Sequence, residues 1–196
     1  MMLIAIEGLD QSGKATQARQ LRTRLEHDGR KVHLLSFPDY ETPIGREIKQ
    51  ALHGERDFPP AVMQLLYVAN RFEYKPRLDA WLGAGDIVVC DRFRASSVAY
   101  GEAQGLDSAW LDEIQRPLPT PDVTVLLDIA PATGVARKSA GRDRYERDLA
   151  LLERVRDSYR RQAAKQDWVV VDGAQTKEAV TAAVASAIHA RMSLKT

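Results

Sequence analysis

Near the N-terminus, Gly8-Leu9-Asp10-Gln11-Ser12-Gly13-Lys14 has the spacing G-x-x-x-x-G-K, directly after an apolar run and directly before a helical pattern. In that context the pattern binds polyphosphate. The two glycines let the backbone curl until its N–H groups point at phosphate oxygens, and the following helix adds its positive N-terminal end. Lys14 then places a compact cation on the β- and γ-phosphates. The motif ordinarily ends in Ser or Thr, whose hydroxyl holds Mg2+; here that position is Ala15. Thr16 follows it, about 100° further round the helix, and is no simple replacement. Metal must therefore find other groups. Ile87-Val88-Val89-Cys90-Asp91-Arg92 ends a second apolar run with an acid and then a base. Ligands of open parallel sheets lie at the carboxyl ends of the strands, so Asp91 and the phosphate loop are expected to face one crevice. There Asp91 can hold Mg2+ through water or orient the attacking oxygen, and the rigid fork of Arg92 can take a phosphate. Asp128 also ends an apolar run, but Pro131 close behind it favours a helix-capping role.

The elements that must position these groups are legible in outline. Met2–Glu7, Val32–Ser36, Asp86–Asp91, Val123–Asp128 and Trp168–Asp172 are short continuous apolar runs, the pattern of strands buried on both faces. Between them lie helical stretches at Lys14–Asp28, Pro60–Leu82, Ser96–Ala103, Ser108–Gln115, Pro131–Ser139, Arg147–Lys165 and Lys177–Met192. Pro76 falls inside the second of these and predicts a kink or break there. The βαβ alternation predicts an α/β fold: a five-stranded parallel sheet with helices on both faces, in one domain spanning residues 1–196.

Composition narrows the function classes. The 196 residues carry 28 basic and 27 acidic side chains, a net charge of +1, which argues against a general nucleic-acid binder. One cysteine, Cys90, excludes an internal disulfide and a cysteine-rich zinc site, and the four histidines have no ligand spacing. No apolar run approaches a membrane span, and the N-terminus lacks a signal-peptide pattern, so a cytoplasmic protein with no membrane partner is expected. GTPases add an Asn-Lys-x-Asp guanine reader, and the nearest match, Ala164-Lys165-Gln166-Asp167, lacks the Asn. A small kinase instead needs an acceptor pocket and a basic cover that excludes water. Residues 137–161 hold nine basic and five acidic side chains, with Arg137, Lys138, Arg142 and Arg144 around Gly141. A lid at about 138–148 suits that need.

At this point the residues resemble the thymidylate kinases, in order and over nearly the whole chain. Glu7 to Lys14 looks like the family phosphate loop with its acid at Asp10. Phe37-Pro38 looks like the family's Phe-Pro element. Leu65-Leu66-Tyr67-Val68-Ala69-Asn70-Arg71 resembles the helix lining the nucleobase pocket. Asp91-Arg92-Phe93 resembles the Asp-Arg-Tyr/His signature, and Arg142-Asp143-Arg144-Tyr145-Glu146 resembles the end of the lid. The resemblance implies a nucleoside monophosphate kinase of the phosphate-loop NTP hydrolase fold, with a short lid. It implies transfer of the ATP γ-phosphate to dTMP with Mg2+, and a homodimer.

Residue by residue, it implies that Tyr67 stacks on the thymine, Arg71 hydrogen-bonds the base and Arg92 holds the acceptor phosphate. Tyr40 stands where some members use Arg. Asp10 reaches the deoxyribose 3′-hydroxyl or the metal shell, and Ser96, Ser97 and Tyr100 line the pocket, with Tyr100 crowding the 2′ carbon. Tyr145 closes over the sugar and Arg137 lies against adenine. Some members carry a catalytic Arg in the phosphate loop where this chain has the uncharged Gln11. The transition-state cation is then expected from the lid, with Arg142 first. Other readings are a kinase for another deoxynucleoside or nucleoside monophosphate, a nucleotide-binding regulator with little turnover, and an interaction protein on a kinase fold.

Overall fold

The computed structural model describes residues 1–137 and 148–193. Five strands form one sheet: β1 (Met2–Gly8), β2 (Val32–Ser36), β3 (Ile87–Asp91), β4 (Val123–Asp128) and β5 (Val169–Asp172). Their order is β2-β3-β1-β4-β5 and every pairing is parallel. All seven residues of β1 are buried, which is why its apolar run is continuous. One face of the sheet packs Met2, Ile4 and Ile6 against Ala18, Leu21 and Leu25 of α1 (Lys14–His27) and against Val184 and Ile188 of α9 (Lys177–Ser193). Leu3 and Ala5 point to the other face, into a cluster with Leu35, Val88, Leu78 and Phe93.

β1 lies at the centre, and the chain crosses to β2 on one side and later to β4 on the other. The strand order therefore reverses beside β1, and a crevice opens at the carboxyl ends of the strands there. The register brings the expected groups to that edge: Ile6 pairs with Asp91 and Gly8 with Leu127.

Three features differ from the sequence expectations. The helix expected over Pro60–Leu82 is two, α3 (Pro60–Phe72) and α4 (Lys75–Gly83). The chain breaks just ahead of Pro76, which sits in the first turn of α4, where its missing N–H costs nothing. A helix that was not expected, α2 (Pro43–His53), covers one side of the crevice. Thr42 caps it by accepting from Gly45 N–H, Pro43 starts it and Gly54 ends it in the left-handed conformation. Gly45 is required by a close approach, since a Cβ there would lie 1.7 Å from the Asp39 carbonyl oxygen. Finally, among the described residues the Asp128 carboxylate bonds no helix N-terminus. It accepts from Arg156 at 2.7 and 3.1 Å and from Arg160 at 2.6 Å, tying β4 to α8 (Leu149–Gln166). Two guanidinium forks outcompete a backbone N–H for a half-buried carboxylate. The remaining helices are α5 (Arg94–Ala103), α6 (Ser108–Glu113) and α7 (Pro131–Arg137).

Candidate active site

The phosphate loop runs from β1 into α1 with the geometry its glycines permit. Gly8 has φ +143° and a Cβ there would lie 2.5 Å from the Leu127 carbonyl oxygen, so no other residue fits. Gly13 has φ +98° and Gln11 also adopts a positive φ. Ser12 N–H donates to the Leu9 carbonyl at 3.2 Å, closing the loop. Lys14 is buried, and its ammonium donates to the Leu9 carbonyl at 2.7 Å. Burial, and then the Arg92 charge, push the Lys14 pKa down to about 8; Asp10, Asp91 and Glu7 act in the opposite sense. Ala15 is exposed on the first turn of α1 and offers no hydroxyl, and Thr16 is half-buried one residue on.

Arg92 is the hub beside the loop. Its backbone N–H bonds the Ile6 carbonyl, and it is held at φ +65°, an uncommon conformation for a residue with a side chain. The guanidinium donates to Asp10 at 2.8 Å, Tyr159 at 3.1 Å, Ser96 at 3.2 Å and Tyr100 at 3.4 Å, and lies 5.3 Å from the centre of the Tyr100 ring. Burial opposes its charge, but Asp10 outweighs that and the Arg92 pKa is raised. Burial would likewise raise the Asp10 pKa. The Arg92 and Lys14 charges and the bonds from Arg92 and Tyr100 outweigh it, and the carboxyl is held far below the usual range. Tyr100, mainly through burial, stays a phenol well above its ordinary range.

Beneath Arg92 lies a hub that motif reasoning did not single out. Glu7, fully buried at the end of β1, accepts from Phe93 N–H at 2.8 Å, Ser96 Oγ at 2.7 Å and Tyr159 OH at 3.1 Å. It fixes the start of α5 and the two hydroxyls that hold Arg92. The sequence places Glu7 at the end of an apolar run and at the head of the family-like phosphate loop without naming these partners, and it gives no sign of Tyr159.

A cleft opens next to this cluster. Asp10, Phe37, Pro38, Tyr40, Tyr67, Arg71, Arg92, Ser96, Ser97 and Tyr100 all line it. These are the residues that the sequence assigned to the acceptor site, apart from Tyr145, which lies outside the described residues. Leu52 of α2 and Gln64 of α3 are lining residues that it did not assign. The Phe37-Pro38 peptide is cis. Arg71, which spacing alone would leave solvated, is buried and donates to Ser97 Oγ at 2.8 Å and Gln115 Oε1 at 3.3 Å. Burial pushes its pKa down to about 10, so it is a cation at neutral pH. A buried polar group without a partner costs about 1–3 kcal/mol. Among the described residues five buried side-chain atoms have none: Ser12 Oγ, Gln17 Oε1, Arg71 Nε and both polar atoms of Gln64. All lie at the phosphate loop and its helix or in the cleft.

On the far side of the loop, Arg137 donates to the Gln11 carbonyl at 3.0 Å and the Gly173 carbonyl at 2.9 Å, joining the loop to the turn after β5. Lys138, Arg142, Arg144 and Tyr145 fall outside the described residues. Asp91 is buried at the end of β3, and its charge favours protonated Lys14. Among the described residues no three His, Cys, Asp or Glu side chains gather as a metal cage. Two carboxylates near a phosphate site fit a hard cation held mainly by phosphate oxygens and water, the habit of Mg2+.

Fold and site together define a phosphate-loop phosphotransferase of the nucleoside monophosphate kinase class. The family model for thymidylate kinase matches residues 6–184. Thymidylate kinase of Arabidopsis thaliana is 34% identical over 178 residues, covering 91% of this chain and 67% of the relative. A probable thymidylate kinase of Pyrobaculum aerophilum is 36% identical, with 96% of each chain covered. The solved structure of Candida albicans thymidylate kinase superimposes with a TM-score of 0.84 at 31% identity, covering 97% of this chain and 92% of that one. The chain belongs to the thymidylate kinase family.

Proposed function

We propose that this protein transfers the γ-phosphate of ATP to dTMP, giving ADP and dTDP. The observation that carries the reading is the single cleft in which the Asp10–Arg92 pair, next to the phosphate loop, adjoins a pocket lined by Tyr67 and Arg71. The loop amides and Lys14 hold the donor phosphates. Arg92 exchanges part of its contact with Asp10 for the acceptor phosphate, so that the acceptor oxygen faces the donor. A monophosphate is already anionic near neutral pH and needs no general base. Tyr67 offers a face to the pyrimidine, Arg71 a donor to its carbonyl, and Tyr100, packed on Arg92, leaves little room for a 2′-hydroxyl. Arg137 lies against adenine. Gln11 brings no charge to the loop, so a lid cation, Arg142 first, stabilises the equatorial oxygens of the transferring group. Asp91 and Asp10 are the residues that would hold Mg2+, with Ala15 contributing nothing. When bound, the ion neutralises the phosphate charge. Val62 and Leu65, exposed apolar residues on α3, support a homodimer formed through that helix.

The test is ADP release with ATP, Mg2+ and each nucleoside monophosphate in turn. Turnover is expected with dTMP first, and loss of about 100-fold or more in kcat for Arg142→Ala. Turnover only with an unphosphorylated nucleoside would reassign Arg92 and overturn the reading.

A further inference from the structure

Gln64 lies on α3 one turn before Tyr67 and two before Arg71, so the three share one helix face. It is fully buried, it lines the cleft, and neither its amide N–H nor its carbonyl oxygen has a partner among the described residues. Asn70 on the same helix shows what a structural amide does here. Equally buried, it accepts from Asp39 N–H and donates to Thr42 and Glu73. Near Gln64 the side chains of Leu52, Met63 and Leu66 belong to an apolar cluster, where a hydrophobe would pack without leaving polar atoms bare. An amide at this place therefore answers to something that enters the cleft. Arg71 adds a third bare atom, Nε, a donor, while its Nη1 is engaged by Ser97 and Gln115.

We propose that Gln64 is a specificity-determining residue that reads the hydrogen-bonding edge of the acceptor base. Arg71 Nε, Gln64 Oε1 and Gln64 Nε2 are a donor, an acceptor and a donor. That set complements an imide edge, in which an N–H sits between two carbonyls, as in thymine. A cytosine edge presents an amino donor where the imide has its carbonyl, and so leaves two donors opposed. Discrimination by buried unpaired groups is the strong kind, because the wrong base leaves them bare. The inference rests on the reading of this cleft as the acceptor site.

Gln64→Met keeps length and removes both polar atoms. Its expected effect is a rise of about tenfold in KM for dTMP, with kcat within about twofold and KM for ATP unchanged. The preference for dTMP over dCMP, as a ratio of kcat/KM, should fall about tenfold, and Tm should hold or rise because no amide is buried bare. A second arm uses the unmodified protein with the monophosphate of 3-deazathymidine, which lacks the imide N–H. It should lose about tenfold in the unmodified protein and show no such loss in Gln64→Met, the coupling that marks a direct contact. Unchanged dTMP parameters in Gln64→Met, or a full and additive loss with the deaza analogue in both proteins, would overturn the role of Gln64. Equal losses for dTMP and dCMP with a lowered Tm would also overturn it, as packing. If the unmodified protein turned over no pyrimidine monophosphate, the acceptor-site reading itself would fall, a result separate from any behaviour of the variant.

Discussion

Lys14 has two demands on it that conflict. In the free protein it is buried close to Arg92, and its pKa is pushed down to about 8 from an ordinary 10.5. Between those pH values the unfolded chain keeps a proton that the folded one has lost, so the penalty this group places on the fold fades as pH rises. Bound polyphosphate acts with the opposite sign. It supplies negative charge beside the ammonium and pulls the pKa back up, so nucleotide binding takes up a proton near pH 8 and weakens above it. Calorimetry of ATP binding at pH 8 in buffers of different ionisation enthalpy should show uptake of about half a proton. Lys14→Arg, which stays charged throughout, should show none. Proton-neutral binding by the unmodified protein at pH 8 would refute the idea.

At the scale of elements, the proposed acceptor site is a loop pinned to a helix. The segment carrying Phe37, Pro38 and Tyr40 follows β2, and Asn70 of α3 holds it. The Asn70 side chain accepts from Asp39 N–H at 2.8 Å and donates to the Asp39 carbonyl at 3.2 Å, Thr42 Oγ1 at 2.8 Å and Glu73 Oε2 at 2.9 Å. Tyr74 adds a bond from its hydroxyl to the Asp39 carboxylate. Asn70→Ala strands these buried partners and should destabilise the protein by about 1–3 kcal/mol in denaturant titration. It should also raise KM for dTMP about tenfold while leaving KM for ATP alone, because the donor loop belongs to β1 and α1. Equal rises for both substrates would show that Asn70 supports the whole fold and not this loop. The uneven legibility of these parts has physical causes. Strands and the phosphate loop carry local signals, a continuous apolar run and glycines at fixed spacing, and the structure places both as expected. α2 was equally local in its signs, Thr42-Pro43 ahead of it and Gly54 behind, but Gly45 in its first turn conceals a helix that tertiary contact with Asp39 demands. The partners of Glu7, Asn70 and Asp128 were not legible. Each side chain meets groups far away in sequence, as Glu7 meets Tyr159 across 152 positions, and residue type alone does not name the partner.

For the whole molecule, α3 joins the proposed acceptor site to the proposed dimer interface. One face of the helix lines the cleft with Gln64, Tyr67 and Arg71, and Val62 and Leu65 stand out from it, 37% and 46% exposed. They lie three residues apart and so form one apolar stripe. In a symmetric dimer the same stripe meets itself, which suits a short apolar helix face. Leu65→Glu brings two carboxylates together at such a contact, and neither can be desolvated cheaply. Sedimentation of the unmodified protein is expected at twice the 21.9 kDa chain mass, and of the Leu65→Glu variant at the single-chain mass. Because α3 also carries Tyr67 and Arg71, the monomeric variant should show a raised KM for dTMP that recovers as protein concentration drives association. A single-chain mass for the unmodified protein at assay concentrations would remove α3 as an interface. The acceptor cleft would then be complete within one chain, and the exposure of Leu65 would be an ordinary surface residue.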